Sequence, residues 1–91
     1  MTVRVQLPPL LRGIAGGERW LTAEGNSIGA ALSDLGKRNP ALALHFFDER
    51  GAIRHNIAFL HGGEVVRAGA AGSHMVQPGD EVILTTALAG G

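Results

Sequence analysis

Two glycines, Gly90 and Gly91, stand at the end of the sequence, shortly after a run typical of a β-strand. Glycine has no Cβ, so such an end can pass through a narrow channel and adopt backbone angles that other residues avoid. A side chain at position 91 would crowd the carbon of the terminal carboxylate. Taken alone, the pair suggests a functional end without specifying its chemistry. The alternative is a frayed end without side chains, which is common at chain termini.

The remaining reactive side chains form no recognisable catalytic or metal-binding pattern. The histidines lack metal-ligand spacing and are interpreted as surface or structural residues: His45, His55, His61 and His74. The serines lack the setting of a catalytic nucleophile: Ser27, Ser33 and Ser73. Ser27 is better explained as a helix cap. Asp48 and Glu49 are predicted to form a turn rather than a catalytic carboxylate pair.

Two further patterns favour a structural role. The Gly69–Gly72 segment has no Gly-Lys-Ser/Thr and no strand-to-helix setting, so it is not a phosphate-binding loop. The aromatic residues are predicted to lie in the core: Trp20, Phe46, Phe47 and Phe59. A base-stacking platform is disfavoured because the net charge is zero.

Size and composition indicate one small globular domain. The chain has 91 residues, of which 45% are hydrophobic. Eight basic and eight acidic residues cancel, which gives no electrostatic reason to expect nucleic-acid or membrane-surface binding. The absence of cysteine excludes disulfides, thiolate metal sites and a catalytic thiol. No apolar run approaches the roughly 20 residues of a membrane span. A cytoplasmic protein with no bound metal or cofactor is expected.

The sequence of the first half of the chain predicts a hairpin followed by one helix. Val3, Val5 and Leu7 alternate with polar residues as in a half-buried strand, and Pro8-Pro9 ends it. A glycine-rich turn over 13–17 then leads to a returning strand over 18–22. The helix begins after Asn26 or Ser27 and stops near Arg38. Its apolar stripe is Ile28, Ala31, Leu32 and Leu35. Gly29 and Gly36 are each expected to weaken it by up to ~1 kcal/mol.

The second half predicts three more strands. A short irregular or helical piece around Leu42 and Leu44 comes first. The remaining elements are a turn over 48–51, a strand over 57–61, a Gly62-Gly63 turn, its partner strand over 64–66, a loop over 68–73, a type II turn over 77–80 and a last strand over 81–86. This leaves 87–91 as a tail beyond a 1–86 domain. Fully extended, the tail reaches roughly 17 Å.

This order of elements predicts an α+β fold, with a mixed sheet of four to five strands and one main helix across one face. The first and last strands are expected to lie side by side in the middle. Such an arrangement is that of the β-grasp fold of ubiquitin. Apolar residues on the sheet face away from the helix are expected to form a docking patch, with Ile83, Phe59 or Leu60 as candidates.

The sequence resembles the ThiS/MoaD family of ubiquitin-like sulfur carriers, and within it the CysO-type carriers. The resemblance lies in the Gly79-Asp-Glu-Val82 turn, the apolar strand after it and the Gly-Gly end. Leu10-Leu-Arg12, Gly16-Gly17 and the helix from Ser27 to Leu35 match as well. The sequence departs from the family at Thr85 and Thr86, where a bulky apolar residue and proline are usual, and at Leu88, usually valine.

The resemblance implies a protein cosubstrate rather than an enzyme. A ubiquitin-activating-like enzyme would join the Gly91 carboxylate to AMP from ATP. A sulfur donor would then displace AMP, and the resulting thiocarboxylate would pass its sulfur to an acceptor synthase in a cysteine, cofactor or secondary-metabolite pathway. Gly90, Ala89, Leu88 and Thr86 would thread into the partner enzymes, and the carrier itself would be a monomer.

Two other functions remain open at this point. The chain could be a ubiquitin-like modifier whose Gly91 carboxylate forms an isopeptide bond with lysine, since the chemistry up to adenylation is the same. It could also be a passive β-grasp interaction domain, for which deletion of Gly91 would leave function intact.

Overall fold

The computed structural model describes residues 2–86, which form five strands and four helices. The strands are β1 (Thr2–Gln6), β2 (Trp20–Glu24), β3 (Ala58–His61), β4 (Glu64–Arg67) and β5 (Glu81–Thr85). The helices are α1 (Pro9–Arg12), α2 (Ile28–Arg38), α3 (Pro40–Phe46) and α4 (Ala68–Ala71). Within this range, none of the helices combines the length and apolarity needed to cross a membrane.

The five strands form one mixed sheet in the order β2-β1-β5-β3-β4. The two middle strands, β1 and β5, are parallel, with Val5 opposite Val82. All other neighbouring strands are antiparallel. Because parallel neighbours need a crossover connection, the chain between β1 and β5 passes over the sheet, and α2 lies in that crossover. The predicted fold class and the central pairing of the first and last strands are therefore confirmed.

The core lies between α2 and one face of the sheet. Val3 and Val5 of β1 are 1% exposed, whereas Thr2 and Arg4 point to the other face. The predicted apolar stripe of α2 is at most 3% exposed at every position: Ile28, Ala31, Leu32 and Leu35. Residues 2–86 contain no buried polar or charged side chain. Within the core, hydrophobic burial is therefore what holds the helix against the sheet.

The ends of α2 are also as predicted. The Ser27 hydroxyl oxygen accepts a hydrogen bond from the Ala30 amide at 3.0 Å, which satisfies one free donor of the first turn. The helix ends at Arg38, and Pro40 begins α3. A proline disfavours helical angles in the residue before it, and Asn39 is accordingly extended, with φ −141° and ψ 90°.

Two of the turns depend on glycine residues with positive φ angles. Gly62 and Gly63 connect β3 to β4 with φ values of 59° and 81°, the positive pair that a two-residue type I′ hairpin requires. Before β5, the Asp80 amide donates to the Gln77 carbonyl at 3.0 Å, and Gly79 has a φ of 87°. This is the predicted type II turn.

Two predicted elements need correction. The segment over 68–73 was expected to be a loop, but Ala68–Ala71 forms the short helix α4. Alanine is the best helix former, and Ala71 is fully buried, so packing adds to intrinsic propensity. The returning strand was expected over 18–22, but β2 is Trp20–Glu24 because its partners in β1 are Gln6 back to Thr2.

Gly29 lies where helix α2 meets the backbone of Gly72. A Cβ at position 29 would lie 2.5 Å from the Gly72 carbonyl oxygen and 2.9 Å from its Cα. Gly29→Ala is therefore expected to destabilise the fold by about 1–3 kcal/mol, although alanine favours a helix. Urea unfolding measures this, with Gly69→Ala as the control because nothing lies within 4 Å of a Cβ there. A Gly29→Ala protein more stable than wild type would contradict the close approach.

Candidate functional site

The predicted reactive end follows the central strand β5. Thr86 is half-buried and is the last residue that the structure describes. Gly91, Gly90, Ala89 and Leu88 lie outside the described residues, so their roles and the 1–86 and 87–91 division stay predictions. What the structure establishes is the base of this segment. The Thr85 hydroxyl donates to the Ala58 carbonyl at 3.3 Å, and hydrogen-bonded strands lie on both sides of β5.

A row of side chains crosses the sheet on the face away from α2. Register places five residues in line, one per strand: Trp20, Gln6, Ile83, Leu60 and Val65. Leu60 is 37% exposed and Val65 is 62% exposed. Of the described surface, this row presents apolar side chains on three adjacent strands, β5, β3 and β4. We call Ile83, Leu60 and Val65 the outer apolar row.

The docking candidates predicted from sequence divide between the two faces of the sheet. Ile83 and Leu60 are opposite each other on the outer face. Phe59 is 1% exposed and lies in the core, so its assignment to the docking patch was wrong. Successive residues of a strand point to opposite faces, so Phe59 and Leu60 cannot both be on the outer face.

Trp20 was predicted to lie in the core, and this is also wrong. It is half-buried on the outer face, with the Arg4 guanidinium 4.4 Å from its ring centroid. Arg4 also pairs with Glu81 at 2.6 Å. Both partners are about half exposed, so the ion pair contributes little stability. Its effect is to hold the Arg4 guanidinium over the indole ring, beside the outer apolar row.

Charge is distributed unevenly along the sheet. Arg67 is opposite Ala58, which is opposite Thr85, so Arg67 lies level with the end of β5. Glu64 begins β4 and Glu81 begins β5, both at the other end of the sheet. Arg67 therefore places a positive charge level with the end of β5 and two strands away from it.

The histidines were interpreted as surface or structural residues. His45 and His55 are exposed. His61 and His74 instead contact each other, with Nδ1 of His61 2.9 Å from Nε2 of His74. Nε2 of His61 is 2.8 Å from a carboxylate oxygen of Asp80. Spacing along the chain gave no sign of this cluster, because its members are 13 and 19 residues from His61.

Asp80 is held in its ionised form by the groups around it. Its carboxylate accepts the Gln77 backbone N–H at 2.9 Å and also bonds to His61. These two contacts, the backbone N–H first, lower the pKa of Asp80 below its ordinary value. Among residues 2–86, no three histidine or acidic side chains are grouped so as to hold a metal ion.

A parallel pair at the centre of a five-stranded mixed sheet, with one helix across a single face, defines a ubiquitin-like β-grasp domain. Residues 5–91 match the ThiS family, and the chain belongs to that family. It is similar to the sulfur carrier protein CysO of Mycobacterium tuberculosis, with 29% identity over 93 residues that span the whole of both chains. The family resemblance inferred from the sequence is thus confirmed.

Solved structures agree with this assignment. CysO in the Amycolatopsis orientalis BexX/CysO complex has a TM-score of 0.82 and 27% identity, covering 98% of this chain and 99% of the other. SAMP1 of Haloferax volcanii has a TM-score of 0.79 and 26% identity, with full coverage of both chains. The first of these neighbours was solved together with a partner protein.

Proposed function

We propose that this protein is a sulfur carrier whose Gly91 carboxylate becomes a thiocarboxylate. The observation that supports this most directly is the extent of the family match, which runs through the β-grasp domain to Gly91 itself. Similarity to CysO likewise covers both chains from end to end. The part of the chain that the family shares therefore includes the diglycine pair, which has no side chain with which to do chemistry of its own.

The chemistry proceeds in two steps on the carboxyl carbon of Gly91. A carboxylate resists nucleophiles until one of its oxygens becomes part of a leaving group. A ubiquitin-activating-like enzyme transfers AMP from ATP to the carboxylate and releases pyrophosphate. Hydrosulfide then attacks the acyl carbon and expels AMP, which leaves a thiocarboxylate. The carrier is a cosubstrate in both steps, and the catalytic groups belong to its partners.

The fold supports this role by holding the base of the tail firmly. A strand with hydrogen-bonded neighbours on both sides is the most strongly held position in a sheet, and β5 has β1 and β3 beside it. The outer apolar row and Arg67 lie on or beside the same strands. A partner enzyme can therefore bind the sheet face and receive residues 87–91 from the end of β5, whose position relative to that face is fixed.

The test is intact mass spectrometry of the full chain after incubation with ATP, sodium sulfide and a ubiquitin-activating-like enzyme from the same organism. The expected result is a mass gain equal to the exchange of one oxygen for one sulfur, located on the C-terminal peptide. Omission of ATP is the control and should leave the mass unchanged. Sulfur found elsewhere in the chain would contradict the proposal. So would the lack of a mass gain with an activating enzyme that is shown to be active in adenylating a carrier.

The outer apolar row is the surface that we expect the activating enzyme to contact. Val65→Asp introduces a charge into this row at a residue that is 62% exposed, so the fold should tolerate it. A charge in the desolvated centre of an interface should weaken binding by about 10- to 100-fold. The measurement is the carrier concentration that gives half-maximal thiocarboxylate formation.

Leu44→Asp is the matched control for this surface. Leu44 is also exposed, at 70%, but it belongs to α3 rather than to the sheet face. The Leu44 variant should therefore reach half-maximal thiocarboxylate formation at the same carrier concentration as the wild type. Equal effects of the two variants would show that docking does not use the outer apolar row.

A second candidate function is conjugation to proteins. The observation that favours it is the similarity to SAMP1, which is named a small archaeal modifier protein. An adenylated Gly91 is the shared intermediate, so the two functions separate only at the nucleophile. Denaturing gels of cells that express the tagged chain distinguish them. Covalent, lysine-linked adducts that disappear when Gly91 is deleted would favour the modifier.

A further inference from the structure

His61, His74 and Asp80 form one continuous chain of hydrogen bonds at the end of the sheet where β5 begins. His61 is the last residue of β3, and its side chain is 19% exposed. Its two ring nitrogens are both engaged, one with His74 at 2.9 Å and the other with Asp80 at 2.8 Å. None of these three residues has a part in the proposed sulfur chemistry.

The positions of the protons follow from the partners. The Asp80 carboxylate can only accept, so Nε2 of His61 carries a hydrogen and donates it. In a neutral imidazole the other nitrogen is then an acceptor. Nδ1 of His61 is that nitrogen, and the hydrogen between the two rings must come from Nε2 of His74.

The pair can take up one proton without breaking. If His61 becomes an imidazolium, its Nδ1–H donates to His74, provided that His74 carries its own hydrogen on Nδ1. A second proton leaves no acceptor, because both facing nitrogens then bear a hydrogen. Two like charges would also face each other across ring centroids only 5.0 Å apart. The contact between the rings therefore excludes the second proton.

The geometry suits a shared proton rather than a metal ion. The facing nitrogens lie between the rings, since they are 2.9 Å apart while the ring centroids are 5.0 Å apart. A metal needs lone pairs that converge on it from roughly 2.0 Å each, whereas these two nitrogens point at each other. Asp80 occupies the remaining nitrogen of His61 and cannot join them on one ion.

These contacts join three parts of the fold. The His74 carbonyl accepts the Ile28 amide at 3.0 Å, at the start of α2. The Asp80 carboxylate accepts the Gln77 amide, and the Asp80 carbonyl accepts the Arg4 amide in the central strand β1. His61 connects both to β3. Breaking the contact between the rings therefore separates the end of β3 from His74, whose segment stays bonded to the start of α2 through its backbone.

The charged groups around the pair are acidic. Asp80 contacts His61 directly, Glu64 is its cross-strand partner in β4, and Glu81 lies next to Asp80 and pairs with Arg4. This surrounding negative charge does not remove the obstacle to a second added proton, which is the lack of an acceptor between the rings.

We propose that the hydrogen bond between His61 and His74 is an acid-sensitive contact. The pair holds at most one added proton, and the contact breaks when a second proton binds. Unfolded, both rings titrate near the ordinary histidine value of about 6.5 and bind two protons below it. The folded pair binds one fewer, so the unfolded state gains stability as the pH falls. The unfolding equilibrium constant should rise by up to about tenfold per pH unit between roughly pH 6.5 and 5.

The test compares urea unfolding of the full chain and of His74→Gln across pH 7.5 to 5. Glutamine offers both a donor and an acceptor, so it satisfies His61 in either protonation state but takes up no proton. The acid-dependent loss of stability should disappear in this variant. His45→Gln and His55→Gln remove exposed histidines and should leave the wild-type dependence unchanged.

Asp80 does not interfere in this range. Its lowered pKa means that its contribution to stability is present above the ordinary value of 3.8 and is lost only as the pH falls through the lower, folded value. If His74→Gln failed to fold, ring nitrogen chemical shifts of the wild type would still decide. As long as the two rings remain in contact, these shifts should show at least one of them neutral.

Two results would overturn the proposal. One is the same acid dependence of unfolding in His74→Gln and in the wild type. The other is simultaneous protonation of His61 and His74 in the folded chain while the contact between their rings is intact. Loss of sulfur charging leaves the histidine proposal unaffected, because the two measurements share neither residues nor reagents.

Discussion

Addition of one residue after Gly91 is expected to abolish thiocarboxylate formation while leaving the fold unchanged. The carboxyl group of Gly91 then becomes part of a peptide bond and no longer has a carboxylate oxygen that could be joined to AMP. The new carboxylate lies one residue farther along, up to about 3.6 Å from its original place. A displacement of this size at a reacting carbon costs about 100-fold or more in rate. Intact mass spectrometry measures the loss of sulfur charging directly.

The matched control adds the same residue before Met1. That chain has the same composition as the extended one and keeps the Gly91 carboxylate free. It should charge at the wild-type rate, and both chains should unfold at the wild-type urea concentration. The mass of the extended chain is read before and after incubation, so removal of the extra residue cannot pass unnoticed. Charging of an intact extended chain would show that Gly91 is not the site of sulfur attachment.

Much of the fold was predictable because its signals are local. The stripe of α2, its Ser27 cap and the Gly62-Gly63 turn each depend on residues within a few positions of one another. The order of the elements fitted a mixed sheet with β1 and β5 side by side, although periodicity alone supported only a small α+β domain. The diglycine pair was only suggestive by residue type, and its position after the Gly79-Asp-Glu-Val82 turn and the last strand carried the family resemblance.

The face that each strand buries was harder to predict. Ile57, Ala58, Phe59 and Leu60 are all apolar, so alternation of polar and apolar residues gives no information along the predicted strand over 57–61. Trp20 was misassigned for a related reason, because a large aromatic residue usually indicates the core. Its place beside Arg4 depends on which residue of β1 it pairs with.

The histidine cluster could not be predicted from the sequence at all. His61 and Asp80 meet only because β3 pairs with β5, and His74 reaches them from the segment that leads away from α4. Contacts of this kind are products of sheet register rather than of local spacing. The same argument applies to the outer apolar row, whose members come from three separate strands.

Replacement of Phe59 by alanine is expected to cost about 3–5 kcal/mol of unfolding free energy. Its side chain is 1% exposed and belongs to the core cluster, so its removal loses apolar burial and leaves a cavity. Domains of this kind are stable by roughly 5–15 kcal/mol, so much of the native stability would be lost. The midpoint and slope of urea unfolding measure the change.

Leu60→Ala is the control for Phe59→Ala because it is the next residue of the same strand. Leu60 is 37% exposed on the outer face, so its truncation should cost less than about 1 kcal/mol. The two variants also separate folding from docking. Phe59→Ala should affect sulfur charging only in proportion to the unfolded fraction, whereas Leu60→Ala should weaken charging of a fully folded chain. If Leu60→Ala proved the more destabilising of the two, the register of β3 would be shifted by one residue, and the outer apolar row would belong to the core.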